Sequence, residues 1–262
     1  MSDFETIRYE IDDGLGVITL ARPEKRNAVN LDMFTELGHA ADRAASDPEV
    51  RAVLLRGDDP SFCAGLDLSA LGDLGGMTGA RFRAFLRLAQ RPFLVLARMA
   101  KPAMAAVQGH ALGAGFQLAL ACDLRVAAED ATFGMLEARY GLIPDLGGTH
   151  HLARLVGPAR AKELVWTTRP VPAEEAMRIG LVNRVVSNSD LAQEAEQICR
   201  EVMAYSPTAA ASTKSLISRA AETAFETELE READAQAACL EGDDHRESVA
   251  AFMEGRTPRF GA

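Results

Sequence analysis

Short apolar runs that do not alternate with polar residues constrain this chain most. Leu15-Gly16-Val17-Ile18-Thr19-Leu20 and Ala52-Val53-Leu54-Leu55 come first, then Ala103-Met104-Ala105-Ala106-Val107 and Leu124-Arg125-Val126-Ala127. Each has the length of a strand, and a strand apolar on both faces must be covered on both. Helical spacing fills the intervals. Leu31, Phe34 and Leu37 follow Asn30, a residue suited to an N-cap. Phe82, Phe85, Leu86 and Ala89 share one face of a helix after Thr78, which Pro92 is expected to break or kink before Phe93-Leu94-Val95-Leu96. A glycine turn at Gly109–Gly115 then opens a helix through Cys122. Strands alternating with helices give an α/β chain with substantial parallel pairing.

From Gly147 onward the pattern turns helical. Gly180-Leu181-Val182-Asn183-Arg184-Val185-Val186 reads as a short returning strand, followed by helices over Asp190–Tyr205, Pro207–Ala221 and Phe225–Leu240. A β-rich core comes first and a helical tail last. The 262 residues suit one large domain or two modest ones. There is no repeat and no low-complexity segment.

Charge and motifs narrow the function. With 28 Lys+Arg against 38 Asp+Glu the net charge is −10, which disfavours broad binding to nucleic acid or anionic membranes but permits a small anion in a local basic pocket. No apolar run reaches the roughly 18 residues of a membrane span, and the acidic start Met1-Ser2-Asp3-Phe4-Glu5 lacks an export-signal layout, so the cytoplasm is the expected location. Cys63, Cys122, Cys199 and Cys239 form no C-x-x-C pair, an argument against zinc and for reduced thiols. The five histidines lack ligand spacing, and the adjacent His150 and His151 read as surface residues. Serine-hydrolase elbow, zinc-protease and P-loop signatures are absent. Gly113-Ala114-Gly115 begins like a dinucleotide fingerprint, but Leu118 occupies the slot of its third glycine.

Two segments remain: Ser61-Phe62-Cys63-Ala64-Gly65-Leu66-Asp67-Leu68, just after a buried strand, and Gly109–Ala119, which follows another strand and opens a helix. Their small residues let other groups approach the main chain. Unpartnered N–H groups converging there would form an oxyanion hole; taken singly, each segment also reads as a plain strand-to-helix turn. Together they resemble the crotonase (enoyl-CoA hydratase/isomerase) superfamily. Further pieces occur in the family's order: Arg22-Pro23-Glu24-Lys25-Arg26-Asn27-Ala28, Phe133-Gly134-Met135-Leu136-Glu137, Gly141-Leu142-Ile143-Pro144, Gly147-Gly148-Thr149, Gly180-Leu181-Val182 and Ala251-Phe252. The likeness spans essentially the whole chain.

The resemblance implies a ββα spiral core over residues 1–200. It also implies a C-terminal helical trimerisation region over 201–262, packing on the core and on neighbouring subunits of a homotrimer or dimer of trimers. The expected ligand is a coenzyme A thioester, with neither metal nor redox cofactor, because the thioester itself acidifies the α-proton. Carried over by motif position, the hole consists of the backbone N–H groups of Ala64 and Ala114. Coenzyme A is expected against Lys25, Arg26, Ala28, Ala64, Leu66, Asp67 and Leu68, with Arg256 or Arg259 of a neighbouring subunit assisting. Lys25 and Arg26 read equally as a solvated charge run. Acyl-chain preference is expected to depend on the Leu71–Phe93 stretch.

Hydratases of the family use two glutamates. The second maps onto Glu137, but Gln117 stands at the first, and an amide cannot accept a proton at ordinary pH. Asp145, eight residues past Glu137, stands where dienoyl-CoA isomerases of the superfamily carry an aspartate; they carry another at the position of Gln117. Asp145 reads either as a second catalytic carboxyl or as the N-cap of the helix opening near Gly147. Glu137, Asp145 and Gln117 are therefore the candidate catalytic residues, with Gln117 orienting substrate or water. An isomerase-like proton shuttle is favoured. The alternatives are a hydratase working through Glu137 alone and a non-catalytic acyl-CoA carrier. Cys63, beside the expected hole, reads as a packing residue.

Overall fold

The computed structural model describes residues 4–67, 77 and 79–260. It opens with an antiparallel hairpin of β1 (Ile7–Asp12) and β2 (Leu15–Leu20). Asp13 and Gly14 join them, both at positive φ (45° and 80°), as a two-residue turn matched to strand twist requires. Next come α1 (Leu31–Ser46), β3 (Ala52–Gly57), α2 (Gly79–Arg98), β4 (Ala103–Val107), β5 (His110–Leu112) and α3 (Ala114–Ala121). The middle of the chain forms β6 (Leu124–Ala128), β7 (Thr132–Gly134), α4 (Gly148–Val156), α5 (Pro158–Thr167), β8 (Val171–Pro172), α6 (Ala173–Arg178) and β9 (Arg184–Val186). Four helices finish it: α7 (Leu191–Met203), α8 (Pro207–Arg219), α9 (Phe225–Glu241) and α10 (Asp243–Glu254).

The main sheet has the order β1-β2-β3-β4-β6-β9, parallel beyond the hairpin. Period-two alternation sends its side chains into two cores. Ile18, Leu20, Val53, Leu55, Ala105 and Val107 face Met33, Phe34 and Leu37 of α1 and Phe93 and Leu96 of α2. Val17, Leu54, Met104, Ala106 and Val126 face Leu191, Ala195, Ile198 and Cys199, one stripe of α7. Helices thus cover both faces of strands that carry no polar face. Asn30 caps α1, its side chain accepting from the Met33 N–H at 2.9 Å. A second sheet, β5-β7-β8, lies beside the first, and Cys63 bridges in parallel to Ala111 of β5.

Of the two outcomes expected at Pro92, a break is ruled out: the residue lies inside α2 without ending it. Proline forfeits one backbone donor, but the next turn buries Phe93 and Leu96, and Phe34 packs on both Phe85 and Phe93 with ring centroids 6.3 and 6.4 Å apart. Burial outweighs one lost hydrogen bond. Strand β1, the second sheet and α10 were not expected either.

A half-buried ion pair fixes the first of the tail helices that follow α7. Lys214 of α8 is only 9% exposed, and its ammonium meets the Asp123 carboxylate at 2.8 Å. The same ammonium donates to the carbonyls of Leu96 (3.1 Å) and Lys101 (3.0 Å), while Asp123 also accepts the Ala103 N–H. Lys214→Met is expected to cost about 1–2 kcal/mol, because it leaves a partly desolvated carboxylate without its cation and two carbonyls without their donor. A lowered urea midpoint at unchanged m-value checks this, with partial recovery in the Lys214→Met/Asp123→Asn double variant.

Candidate active site

The Phe62–Asp67 segment is stitched to the fold from two sides. Towards β5, the Phe62 N–H donates to Gln108 O, Cys63 N–H to His110 O, and Leu112 N–H to Cys63 O, at 2.8–3.0 Å. Towards the N-terminal turn, the Val29 N–H donates to Gly65 O (2.7 Å) and the Asp67 N–H to Val29 O (2.9 Å). Arg22 clamps this side, its guanidinium meeting the Asp67 carboxylate at 2.9 Å and bonding the Ala28 carbonyl. Asn27, fully buried, accepts the Arg22 N–H and donates to the carbonyls of Asp58 and Ser61. Arg22 and Asn27 were not singled out in the sequence, although they flank the basic turn of the N-terminal motif.

This stitching decides which amides are free. The Ala64 N–H donates to Arg26 O at 2.9 Å, so the expected donor at Ala64 is already spent inside the fold. Two amides of this turn are unengaged, those of Gly65 and Leu66: among the described residues neither of them, nor the Ala114 N–H at the first turn of α3, has a hydrogen-bond partner. The two turns touch. A Cβ on Gly65 (φ +101°) would sit 2.9 Å from Leu112 O and 3.9 Å from Ala114 N. The Ala64 N–H, expected from the sequence as a donor, is thus unavailable, while the Gly65, Leu66 and Ala114 N–H groups stand unengaged among the described residues.

The carboxylates come from the opposite side. Glu137 opens a short 3-10 turn just past β7, and a Cβ on Gly113 would lie 3.5 Å from its Oε1. Gln117, one turn into α3 and 1% exposed, donates from Nε2 to Glu137 Oε1 at 2.7 Å. Its own Oε1 accepts the N–H groups of Leu146 (2.8 Å) and Gly148 (3.0 Å). Gly148 must be small here, since a Cβ would come within 2.7 Å of the Gln117 side chain. Glu137 Oε2 is buried without a partner. Burial pushes the Glu137 carboxyl above the ordinary range, the nearby Asp145 charge pushes it further, and the Gln117 bond opposes both. Burial raises Asp145 as well. Asp145 is not a cap: Gly147 holds that position at α4 with no side-chain bond.

The other candidates divide. Lys25 and Arg26 are exposed and form no ion pair among the described residues, on the turn that holds the Phe62–Asp67 segment. Asp67 and Ala28 are engaged by Arg22, so both shape the turn from within. Leu68 and part of the Leu71–Phe93 stretch lie outside the described residues. Arg256 pairs with Glu247 and Glu254 of its own chain, each at 2.6 Å. Cys63 is fully buried and its thiol is pushed up to about 12 by that burial, which makes it inert. His150 is exposed; His151 is half-buried, its pKa lowered to about 4 by that burial, so the pair is only half a surface pair. A cavity of about 830 Å³ lies away from these groups, between α8 and the α3–α4 side of the sheet, lined by Asp123, His151, Tyr205 and Lys214. Among the described residues no three metal-ligating side chains cluster, and no helix is long and apolar enough to cross a membrane.

Known proteins resemble the chain over most of its length. A family model described as enoyl-CoA hydratase/isomerase matches residues 10–262. The chain is 37% identical to a crotonyl-CoA hydratase of Syntrophomonas wolfei over 258 residues, 98% of each chain. It is 36% identical to a short-chain-enoyl-CoA hydratase of Clostridium acetobutylicum, over 97% of each. The crystal structure of an enoyl-CoA hydratase from Bacillus anthracis superposes with a TM-score of 0.91 at 33% identity, covering 98% of this chain and 99% of that one. A Thermobifida fusca protein solved in complex with acetoacetyl-CoA superposes at 0.84, with 36% identity over 90% and 94% of the two chains. The chain belongs to the enoyl-CoA hydratase/isomerase family of enzymes, within the crotonase superfamily.

Proposed function

We propose that the protein binds a coenzyme A thioester with its carbonyl oxygen between the amides of Leu66 and Ala114, and moves one proton with Glu137. The observation that carries this reading is the unpartnered Glu137 Oε2 beside a turn whose Ala114 N–H is itself unengaged. Two amides on the thioester oxygen stabilise the enolate, and a preorganised donor of this kind contributes about 3–4 kcal/mol. Ionised Glu137 removes a proton from carbon. The electron pair of that C–H bond passes to the thioester oxygen, and the proton returns to another carbon of the conjugated chain as the carbonyl re-forms. Net composition is unchanged. The acetoacetyl-CoA complex of the related chain supports the ligand class, and the exposed Lys25 and Arg26 suit its phosphates.

Isomerisation is favoured because both ends of Gln117 are committed within the protein and it carries no base. Asp145 is the second carboxyl, close enough for its charge to act on Glu137. The rival is hydration, with Glu137 serving both proton steps; the hydratase names of the relatives favour it. Assembly as a homotrimer or dimer of trimers is supported by the exposed Phe225 (73%), Phe252 (84%) and Met253 (79%) on the last helices. Light scattering should return three or six chain masses.

Incubation with a 2-enoyl-CoA and a 3,5-dienoyl-CoA separates the reactions: constant mass with an absorbance shift marks isomerisation, a gain of water marks hydration. Glu137→Gln is expected to lower turnover by at least about 10²-fold while ligand binding survives; full activity in that variant sinks the assignment.

Because the Glu137 carboxyl is raised, its ionised form is present above that raised pKa and lost as pH falls through it, so the acid limb of kcat/KM should lie above 4.5. Asp145→Asn removes a charge that raises it, and the limb should move to lower pH. If Asp145 also handles a proton, plateau kcat falls by about 10²-fold in the same variant.

A further inference from the structure

We infer that Gln117 is a positioning residue that confines the exchangeable proton of Glu137 to Oε2. The inference rests on Glu137 as the acid–base group and concerns how its proton is placed.

The direction of the Gln117 amide is not free. Its Oε1 receives two main-chain N–H groups, from Leu146 and Gly148, and two donors can be answered only by an oxygen. The Nε2 end must therefore face Glu137, where it lies 2.7 Å from Oε1. An amide nitrogen only donates, so Oε1 stays a bare acceptor in both protonation states. Because a hydroxyl oxygen accepts more weakly than a carbonyl oxygen, the proton is directed to Oε2, which is buried and has no partner among the described residues. A glutamate at 117 would lack this constraint: one of its oxygens could still receive the two N–H groups, while the other would face Glu137 Oε1 as a second acceptor. Two such oxygens at that spacing share a proton and titrate as a pair. Gln117 thus acts through Glu137 and needs no contact with the ligand. The other titratable group whose charge reaches Glu137 is Asp145, on the Pro144–Gly147 turn.

The test is a carbon-13 titration of protein labelled at the glutamate carboxyl carbon, without ligand, with the Glu137 signal assigned by its loss in Glu137→Gln. Wild type should show one dominant step at Glu137. Gln117→Glu keeps an acceptor for Leu146 and Gly148 and so keeps the loop. It should show two steps at Glu137 separated by at least about one pH unit, with a matching second inflection in the pH profile of turnover. The second step must persist in Gln117→Glu/Asp145→Asn, which assigns it to position 117. A Gln117→Met variant, checked for folding by its melting curve, should move the Glu137 step to higher pH, since a donor to the carboxylate is gone.

A Gln117 that merely braces the loop predicts one unshifted Glu137 step in Gln117→Glu, and that result overturns the inference. Full turnover in Glu137→Gln instead removes the acid–base assignment, while the titration still reports whether residue 117 places the Glu137 proton.

Discussion

The site exists because two main-chain segments lie almost in contact. A Cβ on Gly115 would fall 2.4 Å from the Cys63 carbonyl oxygen and 2.6 Å from its side chain, a separation only a glycine permits. That approach sets the Cys63–Leu66 turn against the first turn of α3, where helix geometry leaves N–H groups without internal partners. Everything functional is referred to this seam. The strand pairing of Cys63 with Ala111 holds one side, the bridge of Val29 to Leu66 holds the other, and Glu137 lies across Gly113. Cys63, the one nucleophilic atom at the seam, is kept protonated by its burial.

The polar groups behind the seam form a chain with one loose end. Two backbone N–H groups answer to Gln117, Gln117 answers to Glu137 Oε1, and Glu137 Oε2 answers to nothing among the described residues. An unsatisfied buried carboxyl oxygen costs stability of about 1–3 kcal/mol or more, and functional sites are where such costs persist. The amide at 117 has a further effect. It needs no proton of its own, so the pair carries one titrating group, and its donor lowers the Glu137 carboxyl against the upward push of burial and Asp145.

Sequence reading captured the strands long enough to have a pattern. The apolar runs of β2, β3, β4 and β6 and the Asn30 cap lie where expected, because burial on both faces and capping leave local signatures. Strands β5, β7 and β8 span two or three residues and are fixed by pairing partners distant in the chain, so no periodicity could mark them. Pro92 misled for the complementary reason: its local penalty is real, but the packing of Phe93 and Leu96 is tertiary. At the site, motif spacing located the turn, not its free donor. Which amide of Ala64-Gly65-Leu66 is spent depends on the Arg26 carbonyl, set by a loop nearly forty residues earlier. Asp145 was ambiguous because an aspartate after proline serves a helix cap and a catalytic site equally well in sequence; the turn geometry at Gly147 removes the cap.

Backbone and side chains therefore carry different kinds of information. A hole built from N–H groups is indifferent to the side chains that bear them, and in the hole proposed above they are leucine and alanine. What it recognises, an oxygen that gains negative charge, can be common to reactions that diverge afterwards. The path of a proton is set instead by side chains, and those proposed for it in this chain are a glutamate, an aspartate and an amide locked in one orientation. Similarity across a whole chain is weighted towards the backbone that makes the hole. The few atoms at 117, 137 and 145 contribute almost nothing to identity or superposition, so likeness over the whole chain leaves the choice between the two proposed reactions to them.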